Sequence, residues 1–212
     1  MSLLSFLHSF LEPAFTLLGS PISWLEIVAF ALSIVMVVLN MRVNPLAWPL
    51  AIAASVLYGW LFFDGKLYGE GSLQIVFVAL ACWGWWQWLR GKAADGEKLH
   101  VQRLSARGRL IALGITLAGW PLLGVFLARV TDSPLPYWDA LPTVGSLVGQ
   151  WLLGRKYAEN WPTWVAVNAV SVVLFALKGY WLTVVLYGAF VPMSVIGWRQ
   201  WRLMLLQQQK AA

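Results

Sequence analysis

Seven stretches of mainly apolar residues run through this 212-residue chain, at about 23–41, 45–63, 71–89, 109–128, 138–154, 161–177 and 180–198. Each approaches the roughly 20 residues that a helix needs to cross a bilayer. The connections are short, and the longest, about 90–108, is charged. Only 11% of the residues are charged and 60% are hydrophobic, against about 25% charged in soluble domains. So little charge cannot cover a water-soluble fold. The sequence therefore predicts an all-α integral membrane protein with seven transmembrane helices. Residues 1–22 read as an apolar, interfacial helix, with a short extra span as the alternative. A first three-helix unit is expected at 23–89, a basic loop and linker helix at 90–137, a second three-helix unit at 138–201 and a tail at 202–212.

The basic residues fix an expected orientation. Arg42, Arg90, Lys92, Lys98, Arg103, Arg107, Arg109, Arg155, Lys156, Arg199, Arg202 and Lys210 share one side; only Lys66, Arg129 and Lys178 lie on the other. The positive-inside rule puts the C-terminus in the cytoplasm and the N-terminus outside. This placement in loops, not the net charge of +6 itself, argues against nucleic acid as a partner. The first 41 residues hold no Lys or Arg, so the basic start of a cleavable signal is missing. A single cysteine, Cys82, allows no disulfide framework.

The chain also repeats itself. Asn44 to Trp48 resembles Asn160 to Trp164, and Ser55 matches Ser171, at an offset of 116. After a slip of three, Phe77 matches Phe190, and Gly84-Trp85-Trp86-Gln87-Trp88 matches Gly197-Trp198-Arg199-Gln200-Trp201 at an offset of 113. The copies are separated by one span, so both cross the membrane in the same direction, as in the parallel-repeat transporters. The Gly-Trp endings read as interface anchors, and Asn44 and Asn160 as helix caps.

Polar side chains within spans need a separate reason, because a helix satisfies its own backbone. Asp139, Thr143, Ser146 and Gln150 recur at helical spacing, as do Trp161, Trp164, Asn168, Ser171 and Phe175. Thr183, Tyr187, Phe190 and Ser194 form a third stripe; Glu26, Ser33 and Asn40 a fourth; Trp48 with Ser55, and Gln74 with Phe77, complete the set. Such residues can simply bond helix to helix. Six stripes together, with a bland linker span, describe a shared polar cavity. Both histidines, His8 and His100, lie outside the spans, residues 181–198 hold no lysine, and phosphate-loop and metal motifs are missing. Haem, retinal, ATP-driven and hydrolytic chemistry are therefore not expected, and no cofactor is called for. Only Glu26 and Asp139 could couple ions, and both sit near span ends, which favours passive diffusion.

Taken together, Asn44 to Trp48, Leu73-Gln74, Gly84-Trp85 with Trp88, Asp139 to Thr143, Ser146 with Gln150, Arg155-Lys156, Glu159-Asn160-Trp161, Trp164 with Asn168, and Lys178-Gly179 resemble the PnuC family of bacterial nicotinamide riboside transporters. The resemblance implies a three-plus-one-plus-three, SWEET-like fold in the inner membrane. It implies facilitated uptake of nicotinamide riboside, trapped inside by a cytoplasmic riboside kinase. Carried over, it makes Gln74, Phe77, Thr143, Gln150, Trp164, Asn168 and Tyr187 the expected substrate contacts, with Trp48 and Asp139 as further candidates. A carrier for another vitamin-like or sugar compound and a non-transporting scaffold or sensor are the competing readings. Gly- and aromatic-rich spans permit a homo-oligomer.

Overall fold

The structure, a computed structural model, describes residues 10–64, 68–93 and 96–211. Among the described residues two short strands, β1 (Pro13–Leu17) and β2 (Ser20–Ser23), precede seven helices. These are α1 (Trp24–Met41), α2 (Ala47–Asp64), α3 (Tyr68–Arg90), α4 (Ala106–Val130), α5 (Pro136–Gly154), α6 (Asn160–Leu177) and α7 (Trp181–Ala211).

Burial runs opposite to that of a soluble protein. Asn160 and Ser194 are 0% and 2% exposed, while Leu110, Leu117 and Leu122 on α4 are well over half exposed. Helices α1, α2, α4, α6 and α7 are each long and apolar enough to cross a membrane. Helices α3 and α5 pack on each other between the two halves. Such a fold needs lipid as its solvent.

Local chemistry explains the ends. The Ser23 hydroxyl accepts from the Glu26 amide at 3.2 Å and caps α1; Ser105 caps α4 through Gly108 at 3.0 Å. Both satisfy amides that the first helical turn leaves free. Helices α1 and α5 end alike, with Val43 and Lys156 left-handed at φ 54° and 55°.

Two expectations are corrected here. Residues 13–23 form an antiparallel hairpin in place of a helix, with Leu18 and Gly19 at φ 49° and 87° in its turn. Pro13, Gly19 and Pro21 deprive this stretch of helical continuity, and two positive φ values are what a two-residue hairpin turn demands. The portion of that expectation at residues 1–9 lies outside the described residues. Residues 202–211 of the expected tail continue α7, which has 31 residues and so spans about 46 Å; residue 212 lies outside the described residues. The helix holds its course because Leu205 packs into the buried core beside Trp201.

Helices α1–α3 pack in sequence, as do α5–α7, while α4 packs on α5. The halves meet where α1 touches α7 and α3 touches α5, the pairing that a twofold axis through the bundle requires. Trp48 lies across Gly84, where an added Cβ would stand 2.2 Å from its ring, and Trp161 lies across Gly197 at 2.6 Å. Only glycine lets the indoles approach so closely. Trp48 meets Trp88 edge-on at 5.4 Å, and Trp161 meets Trp201 edge-on at 5.6 Å. All these partners are 113 residues apart, so the register for α2 and α6 is corrected from 116. Trp48-Pro49 corresponds to Trp161-Pro162, and Ser55 corresponds to Asn168, not to Ser171.

The same symmetry places indole hydrogen bonds from two tryptophans between the halves. The Trp88 indole N–H donates to the Leu153 carbonyl at 3.0 Å, and the Trp201 indole donates to Asn40 and Met41 at 3.2 and 3.1 Å. Each indole thereby serves carbonyls in the last turn of the other half's first helix, which have no partner within that helix. Trp88 and Trp201 are thus core residues. Trp85, Trp86 and Trp198 are the more exposed members of these endings.

On this basic face the segment between α3 and α4 is fastened to the α5–α6 connection. Gln102 N–H donates to the Lys156 carbonyl and the Gln102 carbonyl accepts from Ala158 N–H, Leu104 N–H donates to Glu159, and Arg155 donates to the Gln87 side chain. Lys156 is 6% exposed, bonds the Leu99 carbonyl at 2.9 Å and lies 5.0 Å from the Trp88 ring centre. Burial, with Lys98 adding repulsion, pushes its ammonium down to about 8 from 10.5. Between those values the unfolded chain binds more protons than the folded one, so this group's contribution to stability rises with pH. We expect the thermal midpoint of the wild type, relative to Lys156→Met, to climb between pH 7.5 and 10. A flat difference would contradict this assignment.

Candidate functional site

A small cavity of about 90 Å³ lies between the two halves, near the basic face. Helix α1 contributes Met36, Val37 and Asn40, and α5 contributes Gln150 and Leu153. Asn160, Trp161, Trp164 and Asn168 come from α6, and Phe190 and Ser194 from α7. Its floor is formed where Leu153 and Asn40 receive the Trp88 and Trp201 bonds.

The chemistry of the lining is unusual for a helix interface. Among the described residues, five buried side-chain atoms have no hydrogen-bond partner. Four belong to residues lining this cavity: Asn40 Oδ1, Asn160 Oδ1, Asn168 Oδ1 and Trp161 Nε1. An unpaired buried polar atom costs about 1–3 kcal/mol. Four at one point are a large penalty for the fold alone, and they define a place prepared for an outside partner. Three are acceptors, so they suit a ligand rich in N–H and O–H groups. The Asn168 amide nitrogen donates to Ser194 at 3.3 Å, which aims its oxygen. At roughly 30 Å³ per water the cavity holds about three, and ligand pockets begin near 300 Å³. The cavity as it stands is therefore smaller than a ligand of that size requires.

Of the nine expected contacts, the structure brings Gln150, Trp164 and Asn168 together here. Tyr187 approaches indirectly: it stacks on Phe175 at 5.3 Å and meets Phe190 edge-on at 6.0 Å. With Tyr180 against Phe175, these rings form an aromatic ladder from the α6–α7 turn down to the cavity wall. Gln74 packs across from Gly59, and Phe77 lies on α3 half-buried; neither lines the cavity. Thr143 spends its hydroxyl on the Asp139 carbonyl at 2.8 Å. Asp139 binds Lys178 at 2.7 Å and accepts from Ser133, tying the start of α5 to the α4–α5 and α6–α7 connections at the face opposite the basic one. Trp48 is buried over Gly84, away from the lining.

Among the polar lining residues, Asn40, Asn160, Trp161 and Ser194 escaped the sequence reading as contacts. Asn40 and Ser194 were visible as members of polar stripes, and their heptad positions were the available signal. Asn160 was expected to cap a helix; instead its amide nitrogen bonds the Tyr157 carbonyl at 2.6 Å and its oxygen is left free. Asn44 does act at a helix start, accepting from Leu46 at 2.9 Å.

Polar groups gathered inside a lipid-exposed helical bundle, between two symmetry-related halves, define a membrane transporter. The chain belongs to the nicotinamide mononucleotide transporter family, whose family model matches residues 23–203. It is 28% identical to the nicotinamide riboside transporter PnuC of Escherichia coli (strain K12), over 86% of this chain and 87% of that protein. It is 31% identical, over 90% of each, to the riboflavin/roseoflavin transporter RibM of Streptomyces davaonensis. The crystal structure of the vitamin B3 transporter PnuC matches with a TM-score of 0.73 at 25% identity, covering 87% of this chain and 83% of that one.

Proposed function

We propose that this protein carries nicotinamide riboside across the bacterial inner membrane by facilitated diffusion, with its basic face in the cytoplasm. The observation that carries the reading is the set of unpaired amide oxygens around the cavity. A carboxamide and ribose hydroxyls supply the donors those acceptors need, and the aromatic ladder suits a flat, cationic ring. The acids support uniport. Asp139 is engaged with Lys178, and Glu26 lies at the start of α1; neither lines the cavity. Phosphorylation by a cytoplasmic kinase would then hold the substrate inside.

Riboflavin is the second reading, favoured by the 31% identity to RibM. Purified protein in lipid vesicles, supplied with labelled nicotinamide riboside, separates the two. Uptake that equilibrates, ignores an imposed pH gradient and becomes concentrative with internal kinase and ATP is expected. Riboflavin uptake with silence toward nicotinamide riboside would transfer the assignment to the flavin.

A further inference from the structure

A second, larger concavity of about 480 Å³ lies on the outside of the bundle, between α4, α5 and α6. It uses different faces of α5 and α6 from those at the substrate cavity. Leu113 and Thr116 of α4, Leu141 and Leu152 of α5, and Ala166 and Val170 of α6 give it mainly apolar walls. Its extent from Leu141 to Leu152 corresponds to about 16 Å of helix, the depth of one leaflet of a roughly 30 Å core. One end is charged. Arg109 lines it there, and Arg103 and Arg107 stand exposed close by in sequence. Among the described residues none of the three forms an ion pair. Glu159 is the acid at that end, and one of its oxygens is committed to the Leu104 amide. Positive charge remains in excess.

We infer that this groove is a binding site for an anionic glycerophospholipid of the leaflet at the basic face, its phosphate on Arg109 and an acyl chain along α5. An apolar slot one leaflet deep with a cationic mouth is complementary to that molecule along its whole length. A guanidinium is suited to bidentate phosphate contact. The inference rests on the membrane fold and not on the identity of the transported substrate.

The test uses the purified full chain, delipidated in detergent and titrated with phosphatidylglycerol or phosphatidylcholine. Native mass spectrometry reads retained lipid, and thermal unfolding reads stabilisation. Phosphatidylglycerol is expected to be retained and to stabilise more than phosphatidylcholine. Arg109→Gln should weaken its retention about tenfold, the loss of one charge-assisted contact. Ala166→Phe should fill the slot and remove retention of both lipids. Equal behaviour of the two lipids, or unchanged retention in both variants, would overturn the site. So would a self-associated wild type that Ala166→Phe dissociates, because a second copy would then occupy the groove. Vesicle uptake measured in parallel keeps failure of this site distinct from failure of the substrate assignment.

Discussion

Asn168→Ala is expected to reduce uptake of nicotinamide riboside at least about tenfold, equivalent to some 1.4 kcal/mol of lost interaction, while the thermal midpoint holds steady or rises. The two readouts separate because Asn168 serves the fold poorly. Its oxygen is buried without a partner, a penalty of about 1–3 kcal/mol, whereas its bond to Ser194 contributes about 0.5–1.5 kcal/mol. Removing both is close to neutral for folding. A residue kept only to hold helices together would behave oppositely, with the midpoint falling and uptake following protein yield. Gln150→Ala gives a second measurement at the same cavity from a different helix. Unchanged uptake in both variants would reject the cavity as the place of recognition.

The largest structural effect is expected at the two glycines under the indoles. Gly84→Ala forces a methyl to 2.2 Å from the Trp48 ring, and Gly197→Ala forces one to 2.6 Å from Trp161. Both indoles are buried, so neither can swing away into open space. Overpacking of this kind costs about 1–3 kcal/mol, or roughly 3–10 °C for a chain of this size. Combining Gly84→Ala with Trp48→Leu should recover part of the loss, and that recovery identifies the ring as the obstacle. Two alanine variants as stable as the parent would mean that the halves do not interlock in this way.

The helices were legible because spans of this length and apolarity have few alternatives, and the stripe rule found the cavity side of α5 and α6. A stripe says that residues share a face; it does not say at what depth a neighbour meets them. That is why Asp139 and Gln150, on one stripe but about 16 Å apart along the helix, have different surroundings, one in an ion pair and one in the cavity. The repeat was visible, but the Asn-x-x-x-Trp likeness drew α2 and α6 three residues out of register. Packing restores it: a large ring must land on a glycine, and sequence similarity in Trp-rich segments carries no such requirement. The hairpin at 13–23 was hidden because strands of four and five residues offer too little periodicity to distinguish them from a broken helix.

The crossed indole bonds have a bearing on how the protein moves. Each half holds the frayed end of the other's leading helix, and both attachments sit on the same side of the bundle. Swinging the halves apart there would release Trp88 and Trp201 together, with the three carbonyl bonds that they make.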